Sequence, residues 1–309
     1  MLDKSIQILN FDNSIIKQKN LISKFDHQII DLTDLGPSVR LWMDKKTHKA
    51  VNNRLADLRG NGVRFIGSGD FHNVSSILAR RISKPFSLIV FDFHPDWDIF
   101  PPRFGCGSWI TESLKYKNIV KVVLIGVSSD DISTGGIQSG NLKSLRNNRL
   151  EIYPYQHNAT SVFFRKIPEN KSISVKRYFL SGKINWNQLR EVNISEFMTS
   201  LLRDLPTGDV YISIDKDCLM KEYAVTNWEE GFLSLEQLLC MLRLIKEKKD
   251  IVGVDITGDY SEINIKGKVK SFFSRLDHPK DCPQKHFSPI DATSINESTN
   301  LKILEVLFS

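Results

Sequence analysis

The feature that most constrains this chain is an alternation, beyond residue 60, of short continuous apolar segments with longer amphipathic ones. Continuous runs of Val, Ile, Leu and Phe are typical of strands that are buried on both faces of a sheet. The alternation predicts an α/β fold with a mostly parallel sheet and right-handed crossovers. The predicted strands are Val63–Gly67, Ser87–Asp92, Val120–Val127, Arg177–Ser181, Val210–Asp215 and Ile251–Ile256.

The clearest helix signal begins at Ser234, which can cap a helix, and Gln237 completes a capping box. An apolar stripe at helical spacing then predicts a helix over Ser234–Lys248. Weaker patterns predict helices over Asn73–Arg81, Ser108–Lys115, Asn185–Arg203 and Ser298–Phe308. Residues 128–150 and 257–300 are predicted to be long loops, and residues 1–60 to add a less regular strand and helix at the sheet edge. Since neither a repeat nor a linker interrupts the 309 residues, we expect a single domain over 1–309.

Composition excludes several classes of protein. No apolar run approaches the roughly 18 residues that a membrane span needs, so no membrane partner is expected. The 42 basic residues exceed the 36 acidic ones without clustering, so nucleic acid is not an expected partner. The cysteines lie far apart, which argues against a disulfide framework or a zinc module and favours a cytoplasmic location. They are Cys106, Cys218, Cys240 and Cys282.

Acidic and histidine side chains follow four of the predicted strands. Because the carboxyl ends of parallel strands meet at one edge of a sheet, we expect these side chains to lie close together. Burying carboxylates together is costly unless a cation compensates them, so the pattern predicts a metal site. The residues are Asp70 and His72, then Asp92, His94, Asp96 and Asp98, then Asp215 and Asp217, then Asp255 and Asp259.

Spacing selects the ligands within this set. On an extended chain, alternate residues point to one side, so Asp92, His94 and Asp96 can converge, as can Asp215 and Asp217. With His72 they supply two imidazoles and four carboxylates, a set that suits Mn²⁺ or another hard to borderline ion better than a structural zinc. Four carboxylates exceed the charge of one divalent ion. The prediction is therefore a pair of divalent metal ions, most consistent with manganese, which activate water and polarise the substrate.

Each motif also has an ordinary structural interpretation. The segment from Asp92 to Asp96 can be a loop at a strand end, and Asp215 with Asp217 can form a turn with solvated acids. Asp70 and His72 can cap the helix that follows them. Their joint position after successive buried strands is what favours the metal site.

These motifs resemble those of the ureohydrolases, the arginase and agmatinase superfamily of binuclear manganese hydrolases. Asp92-Phe-His94-Pro-Asp96 is similar to the Asp-Ala-His-x-Asp motif, and Ser213-Ile-Asp215-Lys-Asp217 to the Ser-x-Asp-x-Asp motif. Gly67-Ser-Gly-Asp-Phe-His72 resembles Gly-Gly-Asp-His with one residue inserted. The resemblance implies a three-layer α/β domain with about eight mostly parallel strands, the same six metal ligands, and assembly into homo-oligomers.

The chain departs from the family at several functional positions. Gly258 stands where the family carries a glutamate, with Asp259 beside it, and Cys106 aligns with a proton-shuttling histidine. Asp98 occupies the position that contacts the carboxylate of an arginine-type substrate. We therefore expect Asp98 and Cys106 to bind substrate, and Asp96 and Asp259 to act in catalysis. An acid at position 98 favours a cationic guanidino or amine substrate without a nearby carboxylate.

Three functions remain open at this stage. The first is a binuclear metal-dependent hydrolase of a C–N bond in a guanidino, amidine or amide substrate. The second is a two-metal phosphoesterase, since Asp70–His72 and Asp92–His94 both have the Asp-x-His spacing that such enzymes use. The third is a non-catalytic, metal-stabilised binding or scaffold protein, in keeping with Gly258 and Cys106 at the two proton-handling positions.

Overall fold

A sheet of eight parallel strands forms the centre of the computed structural model, in the order β2-β1-β4-β13-β12-β5-β7-β8. The structure describes residues 2–58, 61–166, 169–278 and 288–309. The strands of this sheet are β1 (Ile6–Asn10), β2 (His27–Asp31), β4 (Val63–Gly67), β5 (Phe86–Phe91), β7 (Ile119–Ile125), β8 (Leu150–Tyr153), β12 (Asp209–Asp215) and β13 (Asp250–Thr257). The predicted mostly parallel, about eight-stranded sheet is confirmed.

Helices cover both faces of the sheet and give three layers. They are α1 (Lys19–Lys24), α2 (Gly36–Val39), α3 (Lys45–Arg54), α4 (Ser75–Arg80), α5 (Trp109–Ser113), α6 (Leu142–Arg146), α7 (Ile194–Asp204), α8 (Leu235–Lys248), α9 (Lys268–Asp277) and α10 (Pro289–Phe308). One apolar core lies between the sheet and α7, α8 and α10, and a second lies on the opposite face against α3, α4 and α5. No helix in the described ranges combines the length and apolarity that crossing a membrane requires.

Five of the six predicted strands lie within about two residues of their expected bounds, because continuous apolar runs mark buried strands clearly. The α8 prediction is also confirmed, with Ser234 as the cap and Gln237 closing the capping box. Residues 1–60 contribute two strands to the sheet rather than the expected one, since β1 pairs with β4 and β2 pairs with β1.

The predicted strand Arg177–Ser181 is wrong. Those residues form the turn between β10 (Ile173–Arg177) and β11 (Ser181–Trp186), which pair with β9 (Thr160–Phe163) in a small antiparallel sheet. The Tyr178 N–H donates to the Ser181 carbonyl at 2.8 Å, and Phe179 at the tip is almost fully exposed. The apolar residues of this turn give the sequence pattern of a buried strand, although their side chains are exposed to solvent.

Other boundaries shift for identifiable reasons. The predicted helix Asn185–Arg203 begins only at Ile194, because residues 185–186 belong to β11. Asn193 caps α7, since its side chain accepts hydrogen bonds from the Ser195 and Glu196 N–H groups. The expected loop 128–150 contains α6, and the expected loop 257–300 contains α9 and the start of α10. Cys282 and the rest of segment 279–287 lie outside the described residues. A third two-stranded pairing joins β3 (Trp42–Met43) to β6 (Phe104–Gly105).

Candidate metal centre

Three strands of the central sheet, β4, β12 and β5, end at one place and carry the predicted ligands there. His72 lies in a 3₁₀ turn (Gly69–Val74) that follows β4, and Asp92 directly follows β5. Asp215 is the last residue of β12, and Asp217 lies in the 3₁₀ turn after it. Because β4, β13, β12 and β5 are adjacent in the sheet, their carboxyl ends bring these side chains together.

The structure brings all six predicted ligands into one cluster. His72 Nδ1 lies 3.1 Å from Asp92 Oδ2 and 3.4 Å from both Asp96 Oδ2 and Asp215 Oδ2. His94 Nδ1 lies 3.0 Å from Asp217 Oδ2 and 3.9 Å from Asp92 Oδ1.

Two overlapping groups within this cluster have the geometry of a metal site. The first comprises His72, Asp92 and Asp96, and the second Asp92, His94 and Asp217. In each group one ligand atom per residue lies within 4.8 Å of the others, and Asp92 belongs to both. The carboxylate of Asp92 is thus placed between two candidate ion positions.

The backbone of residues 92–96 and 215–217 is not extended, although the prediction from residue spacing requires an extended chain. The His94 N–H donates to Asp92 Oδ1 at 2.7 Å, and Asp96 adopts a positive φ of 47°, so the segment turns. Trp109 Nε1 donates to Asp96 Oδ2 at 2.7 Å and holds that carboxylate in the cluster. Asp215 and Asp217 likewise share a turn, because the Asp217 N–H donates to Asp215 Oδ1 at 3.2 Å. The predicted convergence is therefore produced by hydrogen-bonded turns rather than by alternation along a strand.

The electrostatics of the cluster fit bound cations. Burial, and then the charges of Asp96 and Asp217, raise the pKa of Asp92 well above its ordinary value. Burial and Asp217 raise the pKa of Asp215 to about 8. Burial alone would lower the pKa of His72, but the carboxylates of Asp92 and Asp96 outweigh it and raise that pKa well above its ordinary value.

Two atoms at the centre of the cluster are unsatisfied in the absence of a cation. His72 Nδ1 and Asp92 Oδ2 are buried and make no hydrogen bond of normal geometry. Buried polar atoms are seldom left without a partner, because their desolvation costs about 1–3 kcal/mol each. The donor set of imidazole nitrogens and carboxylate oxygens is one that Mn²⁺ and similar divalent ions accept. The residues present therefore fit a metal centre.

Five of the six clustered residues, all but His72, line one side of a cavity of about 660 Å³, which we call its floor. Asp98 and Cys106, both predicted to contact substrate, line its wall. Ser139 Oγ donates to Asp98 Oδ1 at 2.6 Å, and burial raises the pKa of Asp98 to about 6. Cys106 begins a 3₁₀ turn (Cys106–Ser108), and its N–H donates to the Leu41 carbonyl at 2.7 Å.

Two predicted residues lie apart from the cluster. Asp259 is buried away from the cavity lining, where Lys216 Nζ lies 2.8 Å from Asp259 Oδ1 and Gln18 Nε2 donates to the same oxygen at 2.6 Å. Asp70 forms an ion pair with Arg40, accepts from Trp228 Nε1 at 3.0 Å, and lies 2.9 Å from His278 Nε2. Both acids have their own charged partners within the protein.

Sequence reasoning missed Glu229 as a site residue. Its Oε2 lies 3.2 Å from His94 Nε2, and it lines the cavity together with Asp130 and Asp131. Glu229 lies in the segment after the Ser-x-Asp-x-Asp motif. The pair of adjacent acids at 229–230 is the sequence feature that could have indicated this position.

This fold and this cluster define a hydrolase of the metal-dependent ureohydrolase type. A model described as "Arginase family" matches residues 10–262, and the chain belongs to that family. A protein of Thermotoga maritima (strain MSB8), described as uncharacterized, is 31% identical over 260 residues, which are 84% of this chain and 81% of that protein.

Solved structures with similar folds have much lower sequence identity. The arginase of Entamoeba histolytica in complex with L-ornithine is 12% identical, with a TM-score of 0.60 over 100% of this chain and 99% of that one. The agmatine ureohydrolase of Thermoplasma volcanium is 10% identical, with a TM-score of 0.57 over 98% and 89%. The formimidoylglutamase of Bacillus subtilis is 12% identical, with a TM-score of 0.59 over 99% and 88%. The similarity at this level is one of fold.

Proposed function

We propose that this protein hydrolyses a C–N bond in the guanidino group of a cationic substrate, using two divalent ions held by the six-residue cluster. The observation that carries the proposal is the pair of overlapping ligand groups that share Asp92 at the floor of an acid-lined cavity. Manganese is the ion that we propose, on the chemistry of the donors. Assembly into homo-oligomers stays part of the proposal by family resemblance.

Bound at this cluster, two divalent ions would lower the pKa of a water and stabilise negative charge that develops on the substrate. The protein's own part is to orient the reactants. Asp96 Oδ2 is held by Trp109 Nε1, so this carboxylate is fixed at the floor of the cavity, where it can accept a proton and orient a water. The planar guanidino carbon would lie above it.

The wall of the cavity selects the substrate by charge. Beyond the ligands, its lining holds Asp98, Asp130, Asp131 and Glu229, and it includes no Lys or Arg among the described residues. A carboxylate on the substrate would be repelled there, whereas a distal amine would be attracted. Trp228 and Phe273 add apolar surface for an alkyl chain. The proposed substrate is therefore a guanidino compound with a positively charged far end, the chemical class of agmatine, which the Thermoplasma neighbour's description names.

The roles of two other predicted residues follow from their surroundings. We propose that Asp259 stabilises the turn that carries the ligands rather than taking part in catalysis, because Lys216 between Asp215 and Asp217 is its ion-pair partner. For Cys106 we propose a wall position beside the substrate. A Cys106→Ala variant is then expected to keep its metal and most of its activity.

A matched substrate panel tests the proposal. Purified protein loaded with Mn²⁺ is assayed for urea or ammonia release from agmatine, from arginine, and from 4-guanidinobutyrate, which carries a carboxylate where agmatine carries an amine. We expect agmatine-type cations to be turned over best. Preference for the guanidino acid would contradict the assignment of the cavity wall.

Variants of the wall sharpen the same test. Asp131→Asn should raise the KM for the cationic substrate by roughly 10-fold, the effect of one lost charged hydrogen bond, and leave metal content unchanged. Asp34→Asn, an exposed acid paired with Arg54, is the control and should behave as wild type.

Turnover of a generic phosphoester with Mn²⁺ but of no guanidine would instead support the phosphoesterase hypothesis. Metal binding without turnover of any compound would support a non-catalytic role.

A further inference from the structure

The two ring nitrogens of His72 face different surroundings. Nδ1 faces the carboxylates of the cluster, 3.1 Å from Asp92 Oδ2. Nε2 lies on the opposite side of the ring, 2.9 Å from Ser213 Oγ, and Ser213 Oγ in turn lies 2.6 Å from Asp255 Oδ1. The three residues form a buried relay, which we name the 72–213–255 relay.

The direction of the hydrogen bonds within the relay follows from the Asp255 carboxylate at its end. An ionised carboxylate can only accept, so the Ser213 hydroxyl donates to Asp255. The Ser213 oxygen then accepts from His72, which places the imidazole proton on Nε2. A neutral imidazole with its proton on Nε2 carries its lone pair on Nδ1, the atom that faces the cluster.

We propose that Ser213 and Asp255 are positioning residues that hold His72 in the Nδ1-ligating tautomer and orientation. The proposal rests on the metal centre proposed above. Outer partners of this kind fix the ring of a metal-bound histidine and raise its basicity, and their removal typically weakens metal binding by roughly 10–100-fold.

The relay is rigid because of where its members lie. Ser213 in β12 and Asp255 in β13 are paired neighbours in the parallel sheet. Asp255 is completely buried and also accepts from Tyr211 OH at 2.8 Å and from Ser75 Oγ at 2.9 Å. The pairing of β12 with β13 therefore holds Ser213 between Asp255 and the His72 ring, and the other two hydroxyls contact Asp255 only.

His94 is held differently, which makes the two histidines distinguishable by experiment. Its Nε2 faces Glu229 Oε2 at 3.2 Å, and the Glu229 side chain is 43% exposed. A solvated carboxylate on a loop constrains a ring less than a buried pair within a sheet does. The ion beside His72 should therefore depend on Ser213, and the ion beside His94 should not.

The test is Mn²⁺ binding to the purified full-length protein, measured by calorimetric titration and by electron paramagnetic resonance. In Ser213→Ala we expect one of the two ions to bind about 10–100-fold more weakly, with the signal of a coupled ion pair lost at substoichiometric Mn²⁺. Activity, where assayed, should return at saturating Mn²⁺. Ser213→Thr, which keeps the hydroxyl, should retain an affinity close to wild type.

Ser75→Ala is the matched control, because it removes a hydroxyl from the same Asp255 oxygen without touching His72. We expect its two Mn²⁺ affinities to match those of the wild type within about twofold. The proposal is overturned if Ser213→Ala binds both ions with wild-type affinity, or if Ser75→Ala weakens binding as much as Ser213→Ala does. Failure of the wild type to bind two ions would instead refute the proposed metal centre.

Discussion

Gly258 shows how one position near the metal centre excludes every side chain. It has a φ of +87°, and a Cβ there would lie 2.4 Å from Asp215 Oδ1 and 2.6 Å from the backbone nitrogen of Lys216. The glutamate that the family resemblance implies at this position cannot be accommodated without moving Asp215, a proposed metal ligand. The local fold therefore requires glycine at position 258.

Gly258→Ala should therefore lose both stability and metal. Gly267, with a φ of +105° and no atom within 4 Å of a Cβ placed on it, is the control for backbone strain alone. We expect Gly267→Ala to cost about 1–3 kcal/mol. Gly258→Ala should cost about 1–3 kcal/mol more from overpacking and also weaken Mn²⁺ binding. Urea unfolding of both metal-free variants and Mn²⁺ titration measure this, and equal losses in the two would contradict the steric argument.

At the residue scale, the sequence predicts a side chain's position correctly where the residue type and its place after a strand are sufficient. The convergence of the six proposed ligands could be predicted, because acids and histidines that directly follow several buried strands are costly to bury together without a cation. Asp259 is expected in catalysis because it lies beside the position of the family's glutamate, but its ion-pair partner Lys216 comes from another strand end and could not be inferred. The contact of Glu229 with His94 depends in the same way on a loop whose path the sequence does not determine.

At the element scale, the small antiparallel sheet supports the wall of the cavity. The Arg165 guanidinium, beyond the end of β9, donates to the carbonyls of Gln138 at 2.8 Å and Gly140 at 3.2 Å. The segment that it holds carries Ser139, whose hydroxyl donates to Asp98. This sheet was missed from the sequence because its strands are short and half exposed, and its turn resembles a buried strand.

Arg165→Met should loosen that wall without affecting the metal. We expect the KM for a cationic guanidine to rise several-fold, because Asp98 loses its fixed partner, while the two Mn²⁺ affinities stay at wild-type values. Arg177→Met, on the same sheet and paired with the exposed Glu169, is the matched control and should leave KM unchanged. Steady-state kinetics and metal titration check both. Loss of metal from Arg165→Met would show that the sheet supports the ligands instead.

At the scale of the whole molecule, charge is separated between the surface and the cavity. The chain has a net charge of +6, yet the cavity lining contains eight carboxylates and no Lys or Arg among the described residues. Two divalent ions would neutralise four of these eight charges, so a cationic substrate would still be attracted. Net charge calculated from composition could not predict this, because the separation arises only when strand ends and loops assemble.

The metal-free protein should lose stability as the pH rises from neutral to alkaline. In the folded protein without metal, the pKa values of His72, His94, Asp92 and Asp215 are all raised above their ordinary values. A group whose pKa is raised on folding binds its proton more tightly in the folded state. Its contribution to stability is complete below the unfolded-state pKa and is lost as pH rises through the folded-state pKa.

We therefore expect the melting temperature of chelator-treated protein to fall as pH rises from about 6 to about 8.5, because this range spans the ordinary pKa of histidine and the raised Asp215 pKa of about 8. Mn²⁺ binds the deprotonated ligands of the folded state only, so it should raise the melting temperature, and by more at the higher pH. Scans with chelator and with excess Mn²⁺ across this range measure the difference. Asp217→Asn should reduce this difference by removing a proposed ligand, whereas Asp34→Asn, an exposed acid paired with Arg54, should not. A difference that shrinks with rising pH would mean that the cluster does not hold divalent ions through these residues.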